Sequence, residues 1–418
     1  MKKYAAIISS LLIVFFFFEV TAAYPIDGYL STKIRRLLRL QLIVDGKIKD
    51  TQPIKGALKS IKDIKLNLLG SRGDSLSTIP AIDVNLQKEI DRLFPNKDES
   101  YSISVLDITP GKKLRYAERQ SDRAMSPGSV GKLAILAGLL TELKYLYPDS
   151  FEKRQELMRT RFVRAGRWAI PNIHTVPFFD PEKQKFFKRT VQEEDVFSLY
   201  EWADHMISVS SNAAASIVWK ELILMRKFGK AYPPTEQEEK DFFKNSKKSE
   251  LRDIAMSVVN DPLRKIDIKK EEWQLGSFFT REGKNFVPGE GGSKATPKAL
   301  MKFLIALERG NIVDEQSSLE MKRILYMTDK RIRYASTKSL SNAAIYFKSG
   351  SLYQCKPEEG FECKKYMGNV KNYMNSVIIV EQPDGTTYIV TLMSNVLRKN
   401  SNIDHLSLAY EIDKIIRK

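Results

Sequence analysis

The stretch that decides the fold is Pro127-Gly128-Ser129-Val130-Gly131-Lys132-Leu133-Ala134-Ile135-Leu136-Ala137-Gly138-Leu139-Leu140. From Ser129 through Leu143 it predicts a long apolar helix. Positions i and i+3 share a helix face, so the Lys132 amine can reach the Ser129 hydroxyl. A serine hydroxyl is a poor nucleophile until a base takes its proton, and a partly desolvated lysine can be that base. The helix start also offers backbone N–H groups and a positive dipole to a developing oxyanion. Ser150 and Lys153 repeat the spacing, but a charged segment follows them and would leave the lysine in water.

Upstream, Leu86, Ile90 and Leu93 mark an amphipathic helix capped by Asp83 or Asn85 and ended before Pro95. Ser102 to Asp107 and Lys113 to Ala117 flank Thr109-Pro110-Gly111-Lys112, the pattern of a β-hairpin. Downstream, residues 145–310 are predicted mostly helical, with polar stretches at Arg159 to Glu194 and Arg226 to Glu272. The charge run Lys240 to Lys248 is expected to be a solvated face. Strands return at Ala343 to Phe347, Ser376 to Glu381 and Thr387 to Asn395, the last two joined by Pro383-Asp384-Gly385. A helix over Ile403 to Ile416 closes the chain. Two strands, a helical block, three strands and a helix describe an α/β domain with an inserted helical subdomain. No internal repeat is present.

Two further motifs carry chemistry. Ser210-Ser211-Asn212 follows the predicted helix Leu199 to Ile207. Residues two apart do not share a helix face, so the pair belongs on a turn. There Ser210 can pass a proton to a leaving nitrogen and Asn212 can hold a substrate amide; a helix cap before Ala213 is the alternative. Lys348-Ser349-Gly350-Ser351 stands at a strand end. Lys348 and the Ser349 hydroxyl suit a carboxylate, Gly350 lets a substrate lie along the strand edge, and the Ser351 N–H is a second oxyanion donor.

A helix-borne S-x-x-K, a loop S-x-N and a strand-borne K-S-G, in that order, resemble the serine β-lactamase and penicillin-binding protein superfamily. The likeness runs from about Asp83 to the C-terminus and includes Ala295-Thr296-Pro297 opening a helix. It looks most like class A β-lactamases. The resemblance implies an antiparallel five-stranded sheet flanked by helices, with an inserted all-helical subdomain and a cleft between the two. It implies Ser129, Lys132 and Ser210 as catalytic residues, with Asn212, Lys348, Ser349, Gly350 and Ser351 binding substrate. The E-x-x-L-N motif of class A enzymes has an imperfect counterpart in Thr280-Arg281-Glu282-Gly283-Lys284-Asn285. Glu282 and Asn285 stand one residue too close and the leucine is missing, so Glu282 is a catalytic candidate for the deacylating water with a departure from the pattern. Glu290 sits where the family's Pro-Gly-Asp often lies, and a solvated surface carboxylate is the alternative for both. The implied activity is hydrolysis of β-lactams through an acyl-enzyme. The alternatives are a D,D-peptidase or penicillin-binding protein on D-Ala-type envelope peptides, a non-catalytic β-lactam sensor, or an esterase or glutaminase on the same scaffold.

Composition bounds the setting. The 418 residues carry a formal charge of +17, a field that attracts anionic partners. Lys2 and Lys3, an apolar run from Tyr4 to Phe18 and Thr21-Ala22-Ala23 predict a secretory signal over residues 1–23, with an uncleaved anchor as the alternative. Export makes nucleic acid an unsuitable partner and leaves anionic envelope polymers and the secreted or periplasmic space. An oxidising compartment would let Cys355 and Cys363 pair as a disulfide, two free thiols being the alternative. His174, His205 and His405 show no ligand spacing, so neither a metal nor a cofactor is expected. Residues 24–82 form a basic extension in which Ile34, Leu37, Leu38 and Leu42 share one stripe beside Arg35, Arg36 and Arg39. The stripe suits a membrane-surface helix. Packing on the main domain over 83–418 is the better reading, because Asp45-Gly46 and Pro53 break it early.

Overall fold

The computed structural model describes residues 25–76, 79–326 and 331–418; the expected signal segment, 1–23, lies outside them. Its centre is an antiparallel five-stranded sheet. The strands are β1 (Ser102–Asp107), β2 (Arg115–Arg119), β3 (Ala344–Gln354), β4 (Lys371–Glu381) and β5 (Thr387–Asn395), in the order β2-β1-β5-β4-β3. The Pro383-Asp384-Gly385 turn sets the register of β4 on β5, with Glu381 opposite Thr387 and Ile379 opposite Ile389.

Side chains alternate between two cores, as a pleated strand requires. Ile345, Phe347, Ile378, Val380, Val390 and Leu392 pack with Leu86, Ile90, Ile412 and Ile416 from the flanking helices Val84–Asp91 and Asn402–Arg417. Tyr346, Val377, Ile379, Ile389 and Met393 face the helical block and join Leu133, Leu136 and Leu140. With both faces covered, β4 and β5 carry nearly continuous apolar runs.

Two expectations are corrected. Three short strand pairs interrupt the helical block, among them a hairpin of Thr175–Asp180 with Lys185–Thr190, so the subdomain is not all helical. That hairpin lies in the polar stretch; its Phe178 and Phe187 rings stack across the two strands, and Phe197 packs tilted against Phe178. The sheet strands also run further than predicted: β3 continues through Lys348 to Gln354, and β4 starts at Lys371, pairing Lys371 with Gln354. Gly350 and the polar residues around it hide this continuation from propensity.

Residues 240–245 of the charge run lie in the helix Glu236–Asn245, which is capped by Thr235 and buries Phe242 and Phe243. The basic extension packs on the domain. Ile34, Leu37 and Ile43 are buried, and the Arg36 guanidinium is buried against Asp204, with Nε donating to Oδ2 at 2.6 Å. Cys355 and Cys363 form a disulfide. None of the described helices is long and apolar enough to cross a membrane.

Candidate active site

Ser129 sits in a short 3-10 turn, Gly128–Gly131, that runs directly into the fifteen-residue helix Lys132–Leu146. The turn replaces the predicted first turn of α-helix, yet the three-residue spacing still aims lysine at serine. Lys132 Nζ donates to Ser129 Oγ at 3.1 Å, to the Ser210 carbonyl at 2.6 Å and to Asn212 Oδ1 at 2.7 Å. All three acceptors are uncharged. Burial pushes the Lys132 amine well below the ordinary lysine range, and the neighbouring Lys348 pushes it the same way. Both effects bias this amine toward its neutral form, in contact with the serine hydroxyl.

Ser210 holds φ +62°, a left-handed conformation uncommon outside glycine. That kink turns the chain between the helices Leu199–Ile207 and Asn212–Phe228. Ser211 caps the second helix by accepting from Ala214 N, so the cap reading holds for this tripeptide, and it leaves the side chains of Ser210 and Asn212 for other contacts. Lys348 Nζ crosses from β3 to donate to Ser210 Oγ at 2.8 Å and to the Ser349 carbonyl at 2.9 Å. Burial, reinforced by Arg333, brings the Lys348 ammonium down to about 7.

β3 lies against the serine turn with no room for a side chain at Gly350. A Cβ there would stand 2.2 Å from the Pro127 carbonyl oxygen and 3.1 Å from Ser129 N. A Cβ on Gly128, at φ +51°, would meet Ser351 N at 2.8 Å. The serine turn and β3 at Gly350 and Ser351 thus lie backbone against backbone. Asn375, opposite Gly350 on β4, ties the sheet to the turn by donating to the Ser126 carbonyl at 2.9 Å.

The structure therefore brings Ser129, Lys132, Ser210, Asn212 and Lys348 into one hydrogen-bonded group, with Ser349, Gly350 and Ser351 along its edge. Glu282 is engaged elsewhere. Its carboxylate accepts from Arg167 at 2.6 Å and from Asn285 Nδ2 at 3.0 Å. Beside Lys132 lies the Phe279 ring, its centroid 4.9 Å from Nζ. Glu290 is an exposed partner of Lys270. Ser150, the rejected repeat of the motif, caps the helix Phe151–Thr160 by accepting from Lys153 N.

Three contributors escaped sequence reasoning. Arg333, buried at φ +55°, donates to the Gly350 carbonyl at 2.8 Å. Asn375 and Phe279 are ordinary strand and loop residues by pattern. The arginine before a predicted strand was a weak signal; the other two had none.

A five-stranded antiparallel sheet with a helical block, and a serine–lysine pair at their junction, define the serine β-lactamase and penicillin-binding protein superfamily. The chain belongs to the beta-lactamase enzyme family, whose model matches residues 85–409. Among solved structures it is similar in fold to PBP-A, with 13% identity and a TM-score of 0.51 over 81% of this chain and 97% of that one. A β-lactamase from Chitinophaga pinensis DSM 2588 matches at 11% identity and TM-score 0.52, covering 80% and 98%. A class A β-lactamase representative from Bacteroides cellulosilyticus DSM 14838 matches at 16% and 0.51, covering 79% and 95%. A search of curated proteins returned no match.

Proposed function

We propose that the protein is a secreted serine acyl-transfer enzyme that forms an acyl-enzyme through Ser129 on β-lactams or D-Ala-type envelope peptides. The observation that carries this reading is the 3.1 Å contact between a buried, neutral-leaning Lys132 and Ser129 Oγ. Lys132 takes the hydroxyl proton as Ser129 attacks the amide carbonyl. The N–H groups of Ser129 and Ser351 stabilise the oxyanion. Ser210, held by Lys348, delivers a proton to the departing nitrogen. Lys348 and Ser349 bind the substrate carboxylate, and Asn212 receives its amide. Two anionic substrate classes suit the net charge of +17, as do anionic envelope polymers as partners.

Hydrolysis of the acyl group is slow in this reading. Glu282, the expected activator of a deacylating water, is bound by Arg167 and Asn285, and Phe279 lies against Lys132. That favours penicillin binding over β-lactamase turnover. Intact mass followed over time with a reporter penicillin tests it. A one-to-one adduct persisting for many minutes is expected; rapid product release with no standing adduct would make the protein a β-lactamase instead.

A further inference from the structure

We propose that residues 25–76 act as a strap fixing the separation of the two walls of the Ser129 cleft, with Arg36 as a positioning residue for the Ser210 turn. This rests on the reading of Ser129 as the reactive centre. The segment lies outside residues 85–409, which the family model matches.

One end of the strap holds the helical wall. Arg36 pairs with Asp204, whose side chain is wholly buried, and Arg35 makes a two-pronged pair with Glu201 at 2.8 and 3.0 Å. Both acids stand on the helix Leu199–Ile207, and that helix hands the chain to the Ser210 turn. Ser208 N donates to the Asp204 carbonyl at 2.7 Å and Ser211 N to the His205 carbonyl at 2.9 Å. A shift of Asp204 therefore moves Ser210 and Asn212 with it.

The other end holds the sheet wall. Gly56 fits against Ala343 so closely that a Cβ on it would lie 2.1 Å from the Ala343 carbonyl oxygen, immediately before β3 begins. The Gly56 carbonyl accepts from Arg331 at 2.8 Å and from Tyr326 at 2.9 Å. Lys59 pairs with Glu381 at the end of β4, and Asn67 donates to both Glu308 and Glu381, at 2.6 and 2.9 Å. β3 is the strand that carries Lys348 to Ser351. The strap thus grips one element behind each wall, and the Lys348–Ser210 contact spans the gap between them.

The test uses the full chain and the variants Arg36→Lys and Arg36→Met/Asp204→Asn. The double change removes both charges of the Arg36–Asp204 pair together. Hydrogen exchange is read at residues 207–213 and 344–352, and acylation by a reporter penicillin is read against pH. The expected result is faster exchange in 207–213, an acylation rate lowered about tenfold or more and an acid limb moved to higher pH, because a hydrated Lys132 regains basicity. Should the double variant not fold, Arg36→Lys must show the same changes in smaller measure. Unchanged exchange in 207–213 and an unchanged pH profile would overturn the strap, leaving Arg36 as an anchor for the extension alone. Exchange needs no activity, so a wild-type chain that fails to react with penicillin would refute the proposed function without deciding this question.

Discussion

Lys348 Nζ and Ser210 Oγ lie 2.8 Å apart, joining the sheet to the helical block across the cleft. Burial brings Lys348 down to about 7 and Lys132 well below its usual range, and the proposed roles ask opposite protonation states of the two lysines. Lys132 must be neutral to accept a proton, so acylation rises with pH through its depressed value. Lys348 must be charged to bind a carboxylate, so binding is lost as pH climbs through about 7. The second-order rate constant for an anionic β-lactam is therefore bell-shaped, reporting the free enzyme. A bound carboxylate raises the Lys348 value, so the maximal rate falls only at higher pH. Stopped-flow acylation with penicillin and with its methyl ester checks this; the ester should lack the alkaline limb.

Lys132→Ala leaves the Ser129 hydroxyl without its base. Acylation should slow by about 10²–10⁴-fold, the usual worth of a placed general base. Circular dichroism should show the fold retained. An unchanged labelling rate would remove Lys132 from the role.

Gly350→Ala puts a methyl group into the backbone of the serine turn, 2.2 Å from the Pro127 carbonyl oxygen. Neither backbone segment is a flexible end, so strand and turn must separate. The expected cost is about 1–3 kcal/mol in urea unfolding, typical of overpacking. Acylation should be largely lost, because the N–H groups of Ser129 and Ser351, the proposed oxyanion donors, move apart.

Glu282→Gln tests the slow fate of the acyl group. The carboxylate is occupied by Arg167 and Asn285, so the lifetime of the penicillin adduct should stay unchanged. A lifetime lengthened by about 10²-fold or more would show Glu282 acting as the base for water.

Lys322 is a stability residue. It is buried with Glu308, pairing at 2.6 Å, and with Glu381 at 2.8 Å. Burial opposes the charge on Glu381, but Lys322 and Lys59 outweigh it and hold the carboxyl down to about 2. Lys322→Met leaves the buried Glu308 without its cation and Glu381 with Lys59 alone, and should cost about 3–5 kcal/mol in urea unfolding, while Lys322→Met/Glu308→Leu should recover much of it.

The sheet was legible because β4 and β5 are buried on both faces and spell apolar runs around a strong turn. The Ser129–Lys132 contact was legible because the lysine opens an apolar helix, whereas Ser150 leads into charge. The continuation of β3 was not, since its residues from Lys348 onward are chosen for the cleft and its rim rather than for strand propensity. The extension split the same way. Its apolar stripe was visible, but Arg36 sits among other arginines, and only the distant Asp204 distinguishes it. Spacing around Glu282 says nothing about Arg167, more than a hundred residues earlier, which donates to its carboxylate.

The central claim, a covalent acyl group on Ser129, is tested most directly by mapping the site of labelling. The wild-type chain is treated with a stoichiometric reporter penicillin, quenched, digested and sequenced by mass spectrometry. The account predicts the penicilloyl mass on Ser129 alone, absent from Ser129→Ala and strongly reduced in Lys132→Ala. A penicilloyl mass on another residue, or equal labelling of Ser129→Ala, would contradict it.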